Sequence, residues 1–249
     1  MKHLNISLRF LIYFTLLVFA CKRVETNYSK QTVVCPIGMN LYQRQALPVL
    51  ERKLLISGLV NIQNYCPDII VDLKYSSEDN FIGINLYGNL KNAYLQKEAC
   101  EKLCHAQNIL NNYSEYLSLI VFDAARPVSV QQKMWDMVEV PEQIKHWYVA
   151  NPQKGSIHNY GMAVDVSIIN KNGELLDMGT DFDYFGELAY PGKEYYFFER
   201  GKLDSIQVQN RELLYRIMSE AGFYVSKTEW WHYNAASLNY AKSKYKIIK

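Results

Sequence analysis

Residues 69 to 77, IIVDLKYSS, place Ile69, Val71, Leu73 and Tyr75 at every second position among mostly polar neighbours. A two-residue apolar period predicts a half-buried strand. DNFIGINLYGN follows, with Gly83 and Gly88 marking a loop. Between 95 and 117 the period lengthens: Leu95, Ala99, Leu103, Ile109 and Leu110 fall roughly on one face of a helix. LSLIVFDAARP, residues 117 to 127, is a short continuous apolar run, hence a strand buried on both faces and ended by Pro127. Ser129 and Gln132 have the spacing of a capping box, which predicts a helix reaching about Met137.

The stretch HNYGMAVDVSII predicts another strand, and NKNGE, 170 to 174, a turn. Residues 178 to 205 read as a long loop rich in Tyr and Phe. A helix is expected from about Asn210, with Leu213, Leu214, Ile217, Met218 and Ala221 apolar and Gly222 at its end. FYVSKTEWWHYN is the last strand-like segment. Strands and helices mix without a regular βαβ alternation. The expected class is therefore α+β, with a mostly antiparallel central sheet flanked by helices. No Pro/Gly linker divides residues 37 to 249, so they are expected to form one domain.

The amino-terminal pattern is different. Lys2 and Arg9 precede FLIYFTLLVFA, residues 10 to 20, and Cys21 follows. Coiled as a helix this segment rises about 16 Å, too short for a bilayer core of about 30 Å. A basic start, a short apolar core and small Ala20 predict a secretory signal over residues 1 to 20. The VFAC ending resembles a bacterial lipoprotein signal, in which Cys21 becomes the lipidated first residue. Polar residues 22 to 36 read as a tether. The expectation is an exported, periplasmic protein held to a membrane by a lipid anchor.

Composition narrows the function classes. The chain of 249 residues is 49% hydrophobic, with a net charge of +2 and basic residues scattered along it. It has no basic run of the kind that binds nucleic acid. Export makes disulfides possible among Cys35, Cys66, Cys100 and Cys104. Cys100 and Cys104, four apart on a helix, hold their Cβ atoms about 5–6 Å apart, beyond the roughly 3.8 Å a disulfide wants. Full pairing then joins Cys35 to Cys100 and Cys66 to Cys104, or Cys35 to Cys104 and Cys66 to Cys100; free buried thiols are the remaining alternative.

The candidate chemistry begins at Asp165, a carboxylate inside an apolar strand. A buried lone charge is expensive, so it needs a partner. On an extended chain Met162, Val164, Val166 and Ile168 share one face, and Ala163, Asp165 and Ser167 the small, polar other one. His158 lies just upstream. Further on, TEWWHY supplies Glu229 and His232, three apart, which serve one site only if the segment bends near Trp230 and Trp231. Two histidines and one carboxylate form a three-ligand zinc set with a fourth position free, and water on such a metal has a pKa near 7. A further Glu takes its proton. Arg126, ending the buried strand beside Asp123, is placed to steady an oxyanion; an Asp123–Arg126 ion pair of purely structural purpose is the plainer reading. Singly, each of these residues has such an ordinary explanation.

At these positions the sequence resembles the D-alanyl-D-alanine dipeptidase family of zinc peptidases, related to D,D-carboxypeptidases and the hedgehog signalling fold. The family pattern S-x-H-x-x-G-x-A-x-D reads as Ser156, His158, Gly161, Ala163 and Asp165, and E-x-W-H as Glu229, Trp231 and His232. DAARP resembles D-x-x-R-P. DMGTDFDYF and DNFIGINLYG resemble further motifs of the dipeptidase branch. The resemblance implies one Zn2+ on His158, Asp165 and His232, with Glu229 as general base and then acid and Arg126 at the transition state. It also implies Ser156 on the carboxylate and Asp183 on the ammonium of a small D,D-dipeptide substrate. A murein D,D-carboxypeptidase with a more open cleft and a non-enzymatic zinc-bearing wall-binding module are the alternatives.

Overall fold

A computed structural model describes residues 47–249. The segments expected as a signal (1 to 20) and a tether (22 to 36), Cys21 between them, and residues 37 to 46 lie outside the described residues. Helix α1 is Val49–Ile56, followed by β1 (Val60–Asn61), the single turn α2 (Ile62–Tyr65) and β2 (Ile70–Val71). Then come β3 (Tyr94–Leu95), α3 (Lys97–Tyr113), β4 (Leu117–Asp123), α4 (Val128–Met137) and the short α5 (Glu142–Lys145). A 3-10 turn over Ile157–Tyr160 leads into β5 (Ala163–Asn170). The chain closes with α6 (Glu194–Phe198), α7 (Ser205–Glu220), β6 (Tyr224–Val225), β7 (His232–Asn234) and α8 (Leu238–Lys244).

Five strands form the main sheet in the order β2-β4-β5-β7-β6. The β2–β4 pair is parallel, and the other three pairings are antiparallel. The fold is thus the expected α+β arrangement, hedgehog/D,D-peptidase-like. The apolar patterns explain its centre. β4 and β5 are buried through most of their length, and Val164, Val166 and Ile168 enter the same core as Leu103, Leu110, Leu214 and Ile217 of the covering helices. α3 packs on both β4 and α7. The helices take one face of β5, which leaves the face bearing Asp165 for other use.

Several local expectations are corrected. The alternating stretch 69 to 77 keeps Ile69, Leu73 and Tyr75 buried, but only Ile70–Val71 is strand and Lys74–Ser76 turns as a 3-10 helix. Alternation reported burial there, and pairing ended early because only two residues find partners on β4. Ser129 does not cap α4: Pro127 occupies that position and Ser129 lies inside the helix. Proline fits a helix entrance because no intrahelical acceptor awaits its missing N–H. The loop expected over 178 to 205 contains a 3-10 turn at Glu187–Ala189 and α6. α7 begins at Ser205, before the expected Asn210, because Asp204 and Gln207 form a reciprocal capping box. α8 carries no marked apolar stripe and was not expected.

Cys66 and Cys104 form a disulfide with Cα atoms 5.6 Å apart, pinning α2 to α3. This pairing belongs to one of the two expected connectivities; Cys35, its companion's member, is outside the described residues. Cys100 is a buried thiol whose pKa burial pushes up to about 12, so it is unreactive near neutrality. The bond closes a loop with a sequence separation of 38. For a loop of that size the chain-entropy relation gives about 3–4 kcal/mol of stabilisation. Denaturant unfolding of the Cys66→Ala/Cys104→Ala variant should show a loss of that order, and reduction of the wild type should reproduce it. Equal midpoints for oxidised and reduced protein would count against a stabilising bond.

Candidate metal centre and substrate cavity

Strand register assembles the donors. Asp165 lies opposite His232 across β5 and β7, and opposite Asp123 across β4 and β5. The register shifts between Val121 and Asp123, a bulge that re-aims the end of β4. His158 comes from the 3-10 turn before β5. That turn is closed by Gly161 at φ +67, where a Cβ would lie 2.6 Å from Leu59 Cδ2; only glycine suits the place. The expected bend after β6 is present: residues 227–230 turn away between β6 and β7, His232 N–H donates to Glu229 O at 3.3 Å, and Trp230 and Trp231 are both buried.

The two imidazoles are oriented from behind. His158 Nδ1 lies 2.6 Å from Ala124 O, and a proton there leaves Nε2 bare. His232 Nε2 lies 3.0 Å from Asn234 Oδ1, which leaves Nδ1 bare. Outer partners of this kind set the tautomer of metal-ligating histidines. The two bare nitrogens are 3.0 Å apart, and Asp165 Oδ1 lies 2.9 Å from His232 Nδ1 and 3.4 Å from His158 Nε2. Three donor atoms therefore converge on one point, a set able to hold a divalent metal ion. In the metal-free protein, burial opposes charge on His232, but Asp165 beside it raises its pKa to about 9. Burial likewise opposes charge on Asp165, and the two histidines outweigh it, so its pKa is depressed.

All seven residues expected in the site line one cavity of about 810 Å³: Arg126, Ser156, His158, Asp165, Asp183, Glu229 and His232. Arg126 is both the ion pair and the cavity wall. Its Nε donates to Asp123 Oδ2 at 2.8 Å, its Nη1 to Gln131 Oε1 at 3.1 Å, and its Nη2 lies 3.7 Å from Asp165 Oδ2. Tyr87 donates to the other Asp123 oxygen at 2.5 Å. A guanidinium has five N–H groups, so donors remain after these contacts. Ser156 Oγ is buried without a hydrogen-bond partner. Burial raises the pKa of Glu229, His232 pulls it back and Asp165 pushes it up again. Asp183, at φ +62, is the one non-glycine residue in the left-handed region among the described residues. Tyr75 donates to its carboxylate at 3.0 Å. Burial and then Asp165 hold the Asp183 pKa well above the usual range.

A profile of the family described as D-ala-D-ala dipeptidase matches residues 56–249. The chain belongs to that family. A D-alanyl-D-alanine dipeptidase of Escherichia coli is 31% identical over 175 residues, which cover 70% of this chain and 83% of that protein. One from Enterococcus faecalis is 27% identical over 179 residues, covering 65% and 83%. A third, from Synechocystis, is 31% identical over 170 residues, covering 56% and 68%. Membership makes the chain a peptidase, and the family is generally metal-dependent.

Several residues of this family member's site carry little or no sequence signal. Asn234 and the Ala124 carbonyl orient the imidazoles, and Tyr75 joins Asp183 while lying 5.1 Å under the Arg126 guanidinium. His146 and Trp147 also line the cavity, with Trp147 69% exposed at its mouth. Tyr75 had a signal, since it is a buried tyrosine whose hydroxyl needs a partner; Asn234 and a backbone carbonyl had none.

The pKa shifts fix the pH response of chelator-treated protein. His232 is raised above its ordinary 6.5, so its contribution to stability is full below about pH 6.5 and is lost as pH rises through about 9. Asp165 is depressed below 3.8, so its contribution is present above that value and lost on acidification. Thermal melts of metal-free protein should therefore show Tm falling from pH 6.5 to 9.5, and His232→Asn should flatten that slope. Metal affinity, read by competition with a chromophoric chelator, should rise over the same window because the proton on His232 must leave first. An affinity independent of pH would contradict the donor assignment.

Proposed function

We propose that this family member is a zinc-dependent dipeptidase that hydrolyses D-alanyl-D-alanine, exported and anchored to a membrane through lipid on Cys21. The observation that carries the reading is the convergence of His158 Nε2, His232 Nδ1 and Asp165 Oδ1 in a cavity that also holds Glu229, Arg126, Ser156 and Asp183. Ligand atoms around tetrahedral zinc, with bonds near 2.0–2.1 Å, lie about 3.3 Å apart. The three separations of 2.9 to 3.4 Å suit that ion. Two neutral imidazoles and one carboxylate are borderline donors that favour zinc over magnesium or calcium, and they leave the ion a net positive charge. When bound, zinc supplies Lewis acidity, polarising a carbonyl and lowering the pKa of water to near 7.

The remaining work falls to the chain's own residues. Glu229 takes the proton of the attacking water and returns it to the leaving amine, a role that suits a carboxylate whose pKa is raised by burial. Arg126, locked by Asp123 and Gln131, turns its spare donors toward the oxyanion that develops on the scissile carbonyl. Ser156 Oγ, unpaired within the protein, donates to the substrate carboxylate. Asp183 accepts from the substrate ammonium, and that positive charge restores the anionic form which burial disfavours.

Size selection then rests on charge. A cavity of about 810 Å³ does not exclude a longer peptide by volume; an uncharged peptide nitrogen at Asp183 is selected against because it brings no positive charge to hold the carboxyl in its anionic form, and the ion pair made by a free ammonium is lost. That volume is the observation favouring the second reading, a murein D,D-carboxypeptidase. The Cys66–Cys104 bond supports export, since disulfides persist in oxidising compartments.

Purified protein incubated with D-Ala-D-Ala and with a stem pentapeptide should cleave the dipeptide, with one zinc per chain by elemental analysis. Cleavage of pentapeptide alone would replace this reading by the second. Glu229→Gln should lower kcat about 10³-fold with zinc content unchanged. Detergent phase partition should place wild-type protein in the detergent phase and Cys21→Ala in the aqueous phase; identical partition would refute the anchor.

A further inference from the structure

Arg211 is fully buried in α7, does not line the cavity, and pairs with none of the residues given a chemical role above. Its Nε donates to Met178 O at 2.6 Å and its Nη1 to Leu188 O at 2.8 Å. Those carbonyls flank the loop that carries Asp183. One rigid, planar guanidinium therefore ties both ends of the loop to a helix. Glu194 Oε1, 3.9 Å from Nη1, balances the charge, and is itself held by Tyr215 at 2.6 Å.

Neighbouring residues of α7 grip the same loop. Asn210 Nδ2 donates to Asp177 O at 2.8 Å, and Gln207 Nε2 to Asp177 Oδ2 at 2.9 Å. From the other side Trp230 Nε1 donates to Thr180 Oγ1 at 2.8 Å, which joins the loop to the segment bearing Glu229. The loop apex needs such support. Asp183 sits at φ +62, a conformation that costs a non-glycine residue energy and persists only when its surroundings impose it.

We propose that Arg211 is a positioning residue for recognition of the substrate's amino end: by clamping Met178 and Leu188 it fixes how far Asp183 stands from the scissile bond. The inference rests on the assignment of Asp183 to the ammonium. A guanidinium is required because two carbonyls must be met at fixed angles; the compact ammonium of lysine does not span both. Truncation leaves the Met178 and Leu188 carbonyls without these donors and Glu194 without its balancing charge. The released loop then loses its hold on Asp183, while His158, Asp165, His232 and Glu229 keep their own supports. The effect belongs in KM far more than in kcat.

A double-mutant cycle on the full zinc-loaded enzyme tests this, with D-Ala-D-Ala as substrate. Asp183→Asn keeps the left-handed backbone, which asparagine tolerates, and removes the charge. On its own it should raise KM; an unchanged KM would refute the Asp183 assignment, separately from anything Arg211 does. Arg211→Lys should raise KM about tenfold with kcat moving less than about threefold, and in the Asp183→Asn background it should add less than about twofold. Equal effects in both backgrounds, or a matching fall in kcat, would overturn the proposal in favour of a merely structural arginine. Asn210→Ala, at a half-buried position, repeats the cycle where Arg211→Lys does not fold: a KM rise of about two- to threefold that vanishes beside Asp183→Asn supports the clamp, and no rise overturns it.

Discussion

Asp165 is a carboxylate in the middle of a strand buried from Ala163 to Ile168, and the site is organised around its charge. A lone buried carboxylate would destabilise the fold by several kcal/mol. Here it is surrounded by His232 on one side, His158 on another and the Arg126 guanidinium beyond. Each of these is fixed in turn: His232 by Asn234, His158 by the Ala124 carbonyl, Arg126 by Asp123 and Gln131. Two carboxylates, two imidazoles and one guanidinium thus form a network in which no charge is left without an opposite neighbour. The arrangement also leaves one nitrogen or oxygen of each donor pointing at a common centre.

The sheet supplies the rigidity this network needs. Cross-strand register sets Asp123, Asp165 and His232 side by side, and hydrogen-bonded strands hold such spacings better than loops do. The helices cover one face with Leu103, Leu110, Leu214 and Ile217, freeing the other for polar groups. The residues that leave the sheet are those whose positions regular structure would forbid. Glu229 cannot share a face with His232 on a straight strand, so it lies in the bend anchored by two buried tryptophans. Asp183 cannot reach the cavity from a regular element, so a loop pinned by α7 presents it at positive φ.

Much of this was legible along the chain because short-range rules apply to it. The continuous apolar run of β4, the alternating faces of β5 and the apolar stripe of α3 follow from periods of two and 3.6 residues. The ligand types were readable because a buried Asp demands a partner and few residues can supply one. Where regularity is weak, pattern and structure differ. Residues 69 to 77 alternate in burial but mostly do not pair, α7 starts earlier than its apolar stripe because a capping box sets its first turn, and α8 has no marked stripe.

By itself the sequence determined which groups are present and which face of each segment is apolar, since those depend on residue chemistry and backbone period alone. It also carried the family motifs, spread from Asp79 to His232, whose common purpose no single spacing reveals. The tertiary structure decided the distances. That His158 Nε2, His232 Nδ1 and Asp165 Oδ1 lie within 3.4 Å of one another depends on register, on a bulge and on a glycine turn. The same holds for the supports behind them. Asn234 and Ala124 O each act through one contact, and Arg211, behind Asp183, through two that reach more than twenty residues along the chain; a contact between distant parts of a chain leaves no periodic trace.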